Sequence, residues 1–326
     1  MARVILVLIL CAAVTPGLLV RDPPRPAGPA VVRLTPLAHP RYIRSGAAIE
    51  VAGAWRLDSP VDAFGGYSAL VVLGDGRLAA FSDRGTYLVF TPPGQGGRPR
   101  AWLGDLDNRR GTVSKRERDC EAVTRDAASG TLWAAYERSN TIVRLGPDLA
   151  ERGRARPRAM RGWPNNRGPE AMVRLSDGRF VVLAEAHDDA GRQPGLLFAG
   201  DPSEGARAVR FAYRAPRRYR PTDMTELPDG RVLVLNRRLL FPWRFTASLV
   251  VADPGMIAAR RTWRGREIAR LAPPVPLDNY EGMAIAPEAG GRLAIWLISD
   301  DNGADRVQRT VLLKLLWRPE RARPAR

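Results

Sequence analysis

The sequence predicts an all-β protein, a β-propeller of five blades with four strands per blade. Three observations carry that prediction. First, one hairpin pattern is written five times, beginning at Gly66, Asp119, Gly168, Pro221 and Asn279. Each copy has a polar or acidic residue, a short apolar strand, a Gly-containing turn, a second apolar strand and a second polar residue. From Ser68 through Glu121, Glu170, Asp223 and Glu281 the steps are 53, 49, 53 and 58 residues. A period near fifty built from hairpins that cannot bury their faces alone is the signature of propeller blades. Second, two further candidate strands lie between hairpins, such as Thr86 to Thr91 with Arg100 to Leu106, and Gly195 to Ala199 with Ala208 to Tyr213. Four strands per repeat is the propeller norm. Third, the 31 glycines and 28 prolines of 326 residues fit a turn-dense chain and are too scattered for a linker.

Taken in order, residues 1–20 carry one Arg and then an apolar run from Val4 to Val14, broken by Thr15-Pro16-Gly17. This reads as a signal peptide or, extended over residues 4–20, as an uncleaved anchor in the inner membrane. Export to the periplasm or the extracellular space is the expectation. Cys11 is a weak lipidation site, because Leu10 stands where a small residue is expected. Only Cys120 remains in a processed chain, so no intrachain disulfide is available. The lead-in, residues 21–47, is Pro-rich from Arg21 to Pro29 and reads as a tether. Residues 48–317 form the propeller. Its last blade lacks an outer strand after Thr310 to Trp317, and Ala48 to Leu57 is placed to supply it, closing the ring with an N-terminal strand. A sixth blade, assembled from the residues before Ala48 and those between Arg238 and Asp278, is the alternative. Residues 318–326 are a basic tail.

Turn chemistry sets the register. Asp75-Gly76, Asp177-Gly178 and Asp229-Gly230 read as two-residue type I′ turns. They place Ser68 opposite Asp83, Glu170 opposite Glu185 and Asp223 opposite Asn236. The longer turns bring Glu121 near Glu137 and Glu281 near Ser299 or Asp300. The polar ends of all five hairpins then ring one mouth of the central channel.

The formal net charge of +17 resembles that of a nucleic-acid binder, but only Lys115 and Lys314 of 51 basic residues are lysine. Such a bias reflects base composition, and no helix-turn-helix or aromatic RNA-binding motif accompanies the clusters at Arg109–Arg118, Arg152–Arg161, Arg214–Arg220 and Arg318–Arg326. Nucleic acid is therefore excluded as a partner. A positive chain still attracts anionic substrates and anionic lipid surfaces. Trp133, Trp163, Trp243, Trp263, Trp296 and Trp317 sit in apolar contexts and are assigned to packing between blades.

A serine triad is excluded by the absence of a G-x-S-x-G elbow and by the presence of only two histidines. His39 lies in the lead-in. His187 follows Glu185 where the third hairpin reaches the mouth, so Glu185 and His187 are the candidate catalytic pair. Carboxylates gathered at a channel mouth repel one another and favour a hard divalent cation. The candidate metal ligands are Asp83, Glu121, Glu137, Glu170, Asp223, Glu281 and Asp300, with Glu185, Asp301, Asn236 and Asn302 as further oxygen donors. Arg84, Arg138 and Arg237, with Arg238 alongside, follow these acids and are candidates for gripping an anionic ester. Alternatively they only neutralise the acids, which would then hold the blades in register through backbone amides.

The motifs SDRG at Ser82, DCEAVTRD at Asp119, YER at Tyr136, GPEAM at Gly168, DMTELPDGRVLVLNRR at Asp223, NYEGMAI at Asn279 and SDDN at Ser299 resemble the bacterial phytase-like family, described as having esterase-like activity of phytase. The resemblance runs from about Ala48 to Trp317. It implies an exported β-propeller hydrolase of esters or phosphoesters, acting as a monomer on a small anionic ester, with calcium as the divalent metal. The lysine-rich substrate site of the alkaline propeller phytases has no counterpart here, so phytate itself is not implied. A non-catalytic periplasmic binding propeller and a sugar-lactone hydrolase are the other readings.

Overall fold

A computed structural model of the chain describes residues 27–43, 49–96, 100–106, 115–240, 244–303 and 308–320. The expected leader and most of the basic tail lie outside the described residues. Two short edge strands, β1 (Gly28–Pro29) and β2 (Arg33–Pro36), precede the long β3 (Ile49–Asp58). The first blade is β4 (Tyr67–Val72), β5 (Leu78–Ser82), β6 (Thr86–Phe90) and β7 (Ala101–Asp105), with β1 added outside β7. The second is β8 (Cys120–Arg125), β9 (Leu132–Tyr136), β10 (Thr141–Leu145) and β11 (Glu151–Ala155). The third is β12 (Pro169–Arg174), β13 (Phe180–Ala184), β14 (Gln193–Phe198) and β15 (Ala208–Tyr213). In the fourth, β16 (Arg220–Glu226), β17 (Val232–Leu240) and β18 (Arg244–Ala252) are followed by β19 (Thr262–Trp263), which leaves the blade to pair with β15, and by β20 (Arg266–Leu271), which completes it. The fifth is β21 (Asn279–Glu288), β22 (Arg292–Asp300) and β23 (Thr310–Trp317), completed by β3 with β2 outside it.

The ring closes as expected. β3 runs antiparallel to β23 from Leu57 opposite Thr310 to Ile49 opposite Trp317. The segments considered for a sixth blade are used elsewhere: the lead-in supplies β1 and β2, and residues 238–278 supply strands of the fourth blade and the strap onto the third. Gly28 and Pro29 are thus an edge strand rather than tether. Apolar side chains fill the spaces between blades, where Trp133 packs edge-on against Phe180 at 5.0 Å and Trp263 against Phe211 at 5.9 Å. Trp133, Trp163, Trp263, Trp296 and Trp317 are buried, while Trp243 lies outside the described residues.

The register differs from the expectation in one informative way. The Asp-Gly turns are three-residue loops: Leu73 N–H donates to Arg77 O, Gly76 N–H donates to Leu73 O, and Gly76 takes φ 82°. A type I turn followed by a left-handed glycine therefore replaces type I′. The same bonds recur at Leu175–Arg179 and Leu227–Arg231. Each hairpin is shifted by one residue, with Leu70 opposite Ala80, Met172 opposite Val182 and Met224 opposite Val234. Such a slip would turn every later side chain to the wrong face. It is absorbed by a bulge in the innermost strand of every blade, at Ser68, Glu121, Glu170, Thr222 and Glu281. A bulge sets two residues against one and re-aims a side chain. The expected pairs are corrected accordingly: Tyr67 faces Ser82, Pro169 faces Ala184 and Pro221 faces Asn236. Asp223 falls one residue past the bulge and faces Leu235.

That single residue changes what Asp223 does. Its carboxylate accepts N–H bonds from Met224 at 2.7 Å in its own blade and from Met283 at 2.6 Å in the fifth, beside the Leu70 backbone of the first. The inner strands of the first and fifth blades nearly touch there. A Cβ on Gly282 would meet the Ala69 and Leu70 backbone at 2.8 and 2.9 Å, so only glycine fits. This floor separates a cavity of about 230 Å³ at one mouth from one of about 540 Å³ at the other.

Candidate metal centre

The bulge residues build the smaller cavity. Ser68, Glu121, Glu170 and Glu281 line it from the innermost strands of four blades. The ends of the second strands add Asp83, Glu137, Glu185, Arg237 and Asp300, and the adjoining loops add Asp119, Arg138, Asn166 and Asn302. Eight carboxylates therefore face two guanidinium groups. Asp119, Glu121 and Glu137 each offer an oxygen within 4.8 Å of the other two.

Arg237 sits between three of the acids, with Nη1 2.7 Å from Glu281 Oε1 and Nη2 3.3 Å from Glu185 Oε1 and 3.7 Å from Glu170 Oε1. It also donates to Asn279 Oδ1 at 2.7 Å. Arg220 adds a second contact to Glu185 Oε1 at 3.0 Å. Arg138 Nε donates to Asp119 Oδ2 at 2.8 Å. These arginines neutralise their neighbours and still leave the cavity strongly negative.

The remaining negative charge shows in the acids themselves. Burial, then the charges of Glu170, Asp119, Glu281 and Asp83, hold the Glu121 carboxyl well above the carboxylate range. Burial and Glu185 do the same to Glu170 despite Arg237. Asp300 is raised by burial, Glu281 and Asp83. Glu281 is raised by burial against the opposing pull of Arg237. Glu137 is pushed up to about 7 by burial and by Asp119.

This donor set fits a hard cation. All its ligand atoms are oxygens, neither histidine lines it, and the Ser68 hydroxyl is buried in its wall with no hydrogen-bond partner among the described residues. Carboxylate, amide and hydroxyl oxygens suit calcium, magnesium or manganese, whereas zinc prefers nitrogen and sulfur.

The structure brings together most of the residues singled out in the sequence and leaves out Asp223, His187, Arg84, Arg238, Asp301 and Asn236. Asp223 belongs to the floor and does not line the cavity. His187 is exposed on the loop after β13, with Nδ1 3.3 Å from Asp188 O, and is not part of the lining. Arg84 lines a neighbouring cavity of about 650 Å³ with Asp301, 3.6 Å from its carboxylate. Asp301 itself is satisfied by Gly66 N–H, Gly303 N–H and the Thr310 hydroxyl. Asn236 is buried within the fourth blade, bonded to Tyr213 Oη. Sequence reasoning missed Asp119 and Asn166. Asp119 was legible in principle, because it is the acid that opens the DCEAVTRD motif two residues before Glu121.

The raised carboxyls make a prediction for stability. An acid whose folded pKa lies above its unfolded value opposes folding once pH exceeds the unfolded value, and the full penalty is reached above the folded one. For Glu137 the window runs from the ordinary 4.5 to about 7. A shift of that size corresponds to about 3 kcal/mol. Cation-free protein should therefore melt at a lower temperature at pH 8 than at pH 5, and a saturating divalent cation should raise the melting temperature far more at pH 8. Thermal melts in chelator and in calcium at both pH values check this. The turn acids Asp75, Asp177 and Asp229, lowered by hydrogen bonds from their arginines, act oppositely and only at more acidic pH.

The sequence matches the family model described as phytase-like, esterase-like activity of phytase, over residues 62–303. The chain belongs to this family. No curated protein matches the phytase-like chain. Among solved structures, a gluconolactonase from Xanthomonas campestris is 11% identical, covering 90% of this chain and 99% of its own at a TM-score of 0.36. The PQQ-bound aldose sugar dehydrogenase of Streptomyces coelicolor is 13% identical, covering 85% and 100% at 0.42. At these values the likeness bears on neither activity nor site.

Proposed function

We propose that the phytase-like propeller is an exported, metal-dependent hydrolase of a small anionic ester, a phosphoester being favoured. The observation that carries the reading is the cavity of eight carboxylates against two arginines, closed at its floor. Asp119, Glu121 and Glu137 would hold the ion, with Ser68 Oγ and Asp300 across the cavity; calcium suits their oxygen chemistry. A bound divalent ion would supply electrophilic polarisation of the ester and a more acidic water. Glu185 is fixed by Arg220 and Arg237, both on Oε1, so its Oε2 is the oxygen placed to accept a proton. Arg237 and Arg138 orient the acids around them and limit mutual repulsion. The apolar leader of residues 4–20 supports a periplasmic or extracellular location, with the chain acting as a monomer.

One observation favours a non-catalytic, ligand-binding propeller instead. Arg84, Arg138 and Arg237 all make ion pairs within the protein, which weakens the case for their gripping a substrate anion. A panel of phosphomonoesters, carboxylic esters and lactones separates the readings. The proposal expects turnover that excess chelator abolishes and calcium restores. Turnover indifferent to chelator would remove the metal from the reaction, and silence on the whole panel would support the binding reading.

A further inference from the structure

The third blade carries a feature that the cavity does not explain. Residues 206–220 contain six arginines and no acid, and residues 254–266 contain four arginines and no acid. The fold joins these two stretches. Arg260 N–H donates to Arg210 O at 2.8 Å, Ala212 N–H donates to Arg261 O at 2.9 Å, and β19 lies parallel to β15 with Thr262 beside Ala212. These two stretches thus carry ten arginines with no intervening acid, and five of them, Arg207, Arg210, Arg260, Arg261 and Arg264, lie along β15 and the strap at the outer edge.

Most of them are uncompensated. Arg220 pairs with Glu185 and Arg266 with Glu320; none of the others has an ion pair among the described residues. Arg207 just before β15, Arg210 on it, and Arg260, Arg261 and Arg264 on and beside the strap are all exposed. Arg217 and Arg218 continue the patch toward Arg220 and the acidic mouth. The half-buried arginines at the hairpin turns are different. Arg77, Arg179 and Arg231 each pair with the turn aspartate two residues earlier. Base composition raises arginine everywhere, but it does not strip one edge of acids.

Two apolar side chains stand among these charges, Val209 at 41% exposure and Met256 at 72%. The aromatic residues of the same segments, Phe211, Tyr213, Tyr219 and Trp263, are all buried. Single-stranded nucleic acid is held by exposed aromatic platforms, and this edge offers none. Cations interspersed with protruding apolar groups are what an anionic lipid surface recognises, because headgroups meet the charges and the apolar groups enter the interface. We propose that the outer edge of the third blade, with its strap, docks the protein on an anionic phospholipid bilayer.

The test uses the full chain and two triple variants of equal charge. Arg210→Ser/Arg260→Ser/Arg261→Ser strikes the patch. Arg156→Ser/Arg158→Ser/Arg161→Ser removes exposed, unpaired arginines from the connection between the second and third blades. Both keep residues 1–20, so any contribution of the leader is common to them. Co-sedimentation with phosphatidylcholine vesicles, with and without 30 mol% phosphatidylglycerol, is read across a salt series. An arginine near such a surface is worth about fivefold in affinity. The patch variant should lose roughly a hundredfold on anionic vesicles, and the control variant little. Hydrogen exchange of the wild type on those vesicles should slow in residues 206–214 and 256–264 and remain unchanged at the turns near Asp75, Asp177 and Asp229. Equal losses in both variants, or protection confined to residues 1–20, would overturn the proposal. So would an oligodeoxythymidine that binds the same patch as tightly as the vesicles and is indifferent to Met256→Ser.

Discussion

Asp223→Ala should lower the free energy of unfolding by about 3 kcal/mol or more, read from urea denaturation, while leaving cation affinity unchanged. The side chain is 1% exposed and accepts backbone N–H bonds from two blades, its own and the fifth. Alanine would leave those donors buried and unpaired, at about 1–3 kcal/mol each. Part of that loss is offset, because burial raises the Asp223 carboxyl well above its ordinary range and its removal relieves that penalty. Asp223→Asn keeps one acceptor oxygen and no charge, and should fall between wild type and alanine. Had Asp223 been a member of the cation site, the asparagine variant would weaken binding as much as a change at Glu121. Unchanged affinity with reduced stability assigns it to the floor.

The fold was legible because its signal is periodic. Five hairpins at near-constant spacing and a missing outer strand required a closed ring, and the pairing of β3 with β23 follows from Ala48–Leu57 being the one unassigned strand. Blade number was harder to read, because the short straps β1, β2 and β19 join existing blades at their edges, and edge pairing leaves little mark on local sequence.

The site was legible in composition and blurred in register. Asp-Gly signals a two-residue turn, yet Gly74, Ser176 and Pro228 each supply a third loop position, and a bulge six residues earlier compensates. The slip and the bulge cancel for Ser68 and Glu170, while Glu121 and Glu281 occupy the same bulge position in the hairpins with longer turns, and all four line the cavity. Slip and bulge do not cancel in the fourth blade, where Thr222 occupies the bulge and Asp223 follows it. Glu185 and His187 separate for a related reason: Glu185 ends the hairpin at the cavity wall, and two residues later the loop has already turned to solvent.

The arginines show what sequence pattern alone does not resolve. Arg84, Arg138 and Arg237 each follow a second-strand acid or amide, so they look equivalent. In the fold Arg237 lies against Glu170, Glu185 and Glu281, Arg138 against Asp119, and Arg84 beyond the cavity wall against Asp301. The partners of Arg237 and Arg84 come from other blades, at sequence separations that no local motif encodes, whereas Asp119 opens the same hairpin that Arg138 ends.

The central claim is that this cavity binds a divalent cation, and calorimetric titration of calcium into chelator-stripped protein tests it most directly. Wild type at neutral pH should bind saturably and release protons, because Glu137, with its carboxyl near 7, and the more strongly raised Glu121 must give up protons to the ion. Proton release is read by repeating the titration in buffers of different ionisation enthalpy. Glu121→Gln removes one charge from the Asp119–Glu121–Glu137 cluster and should weaken binding about a hundredfold while the protein stays folded. Wild type that takes up calcium, magnesium and manganese no better than Glu121→Gln, with no proton release, would contradict the account.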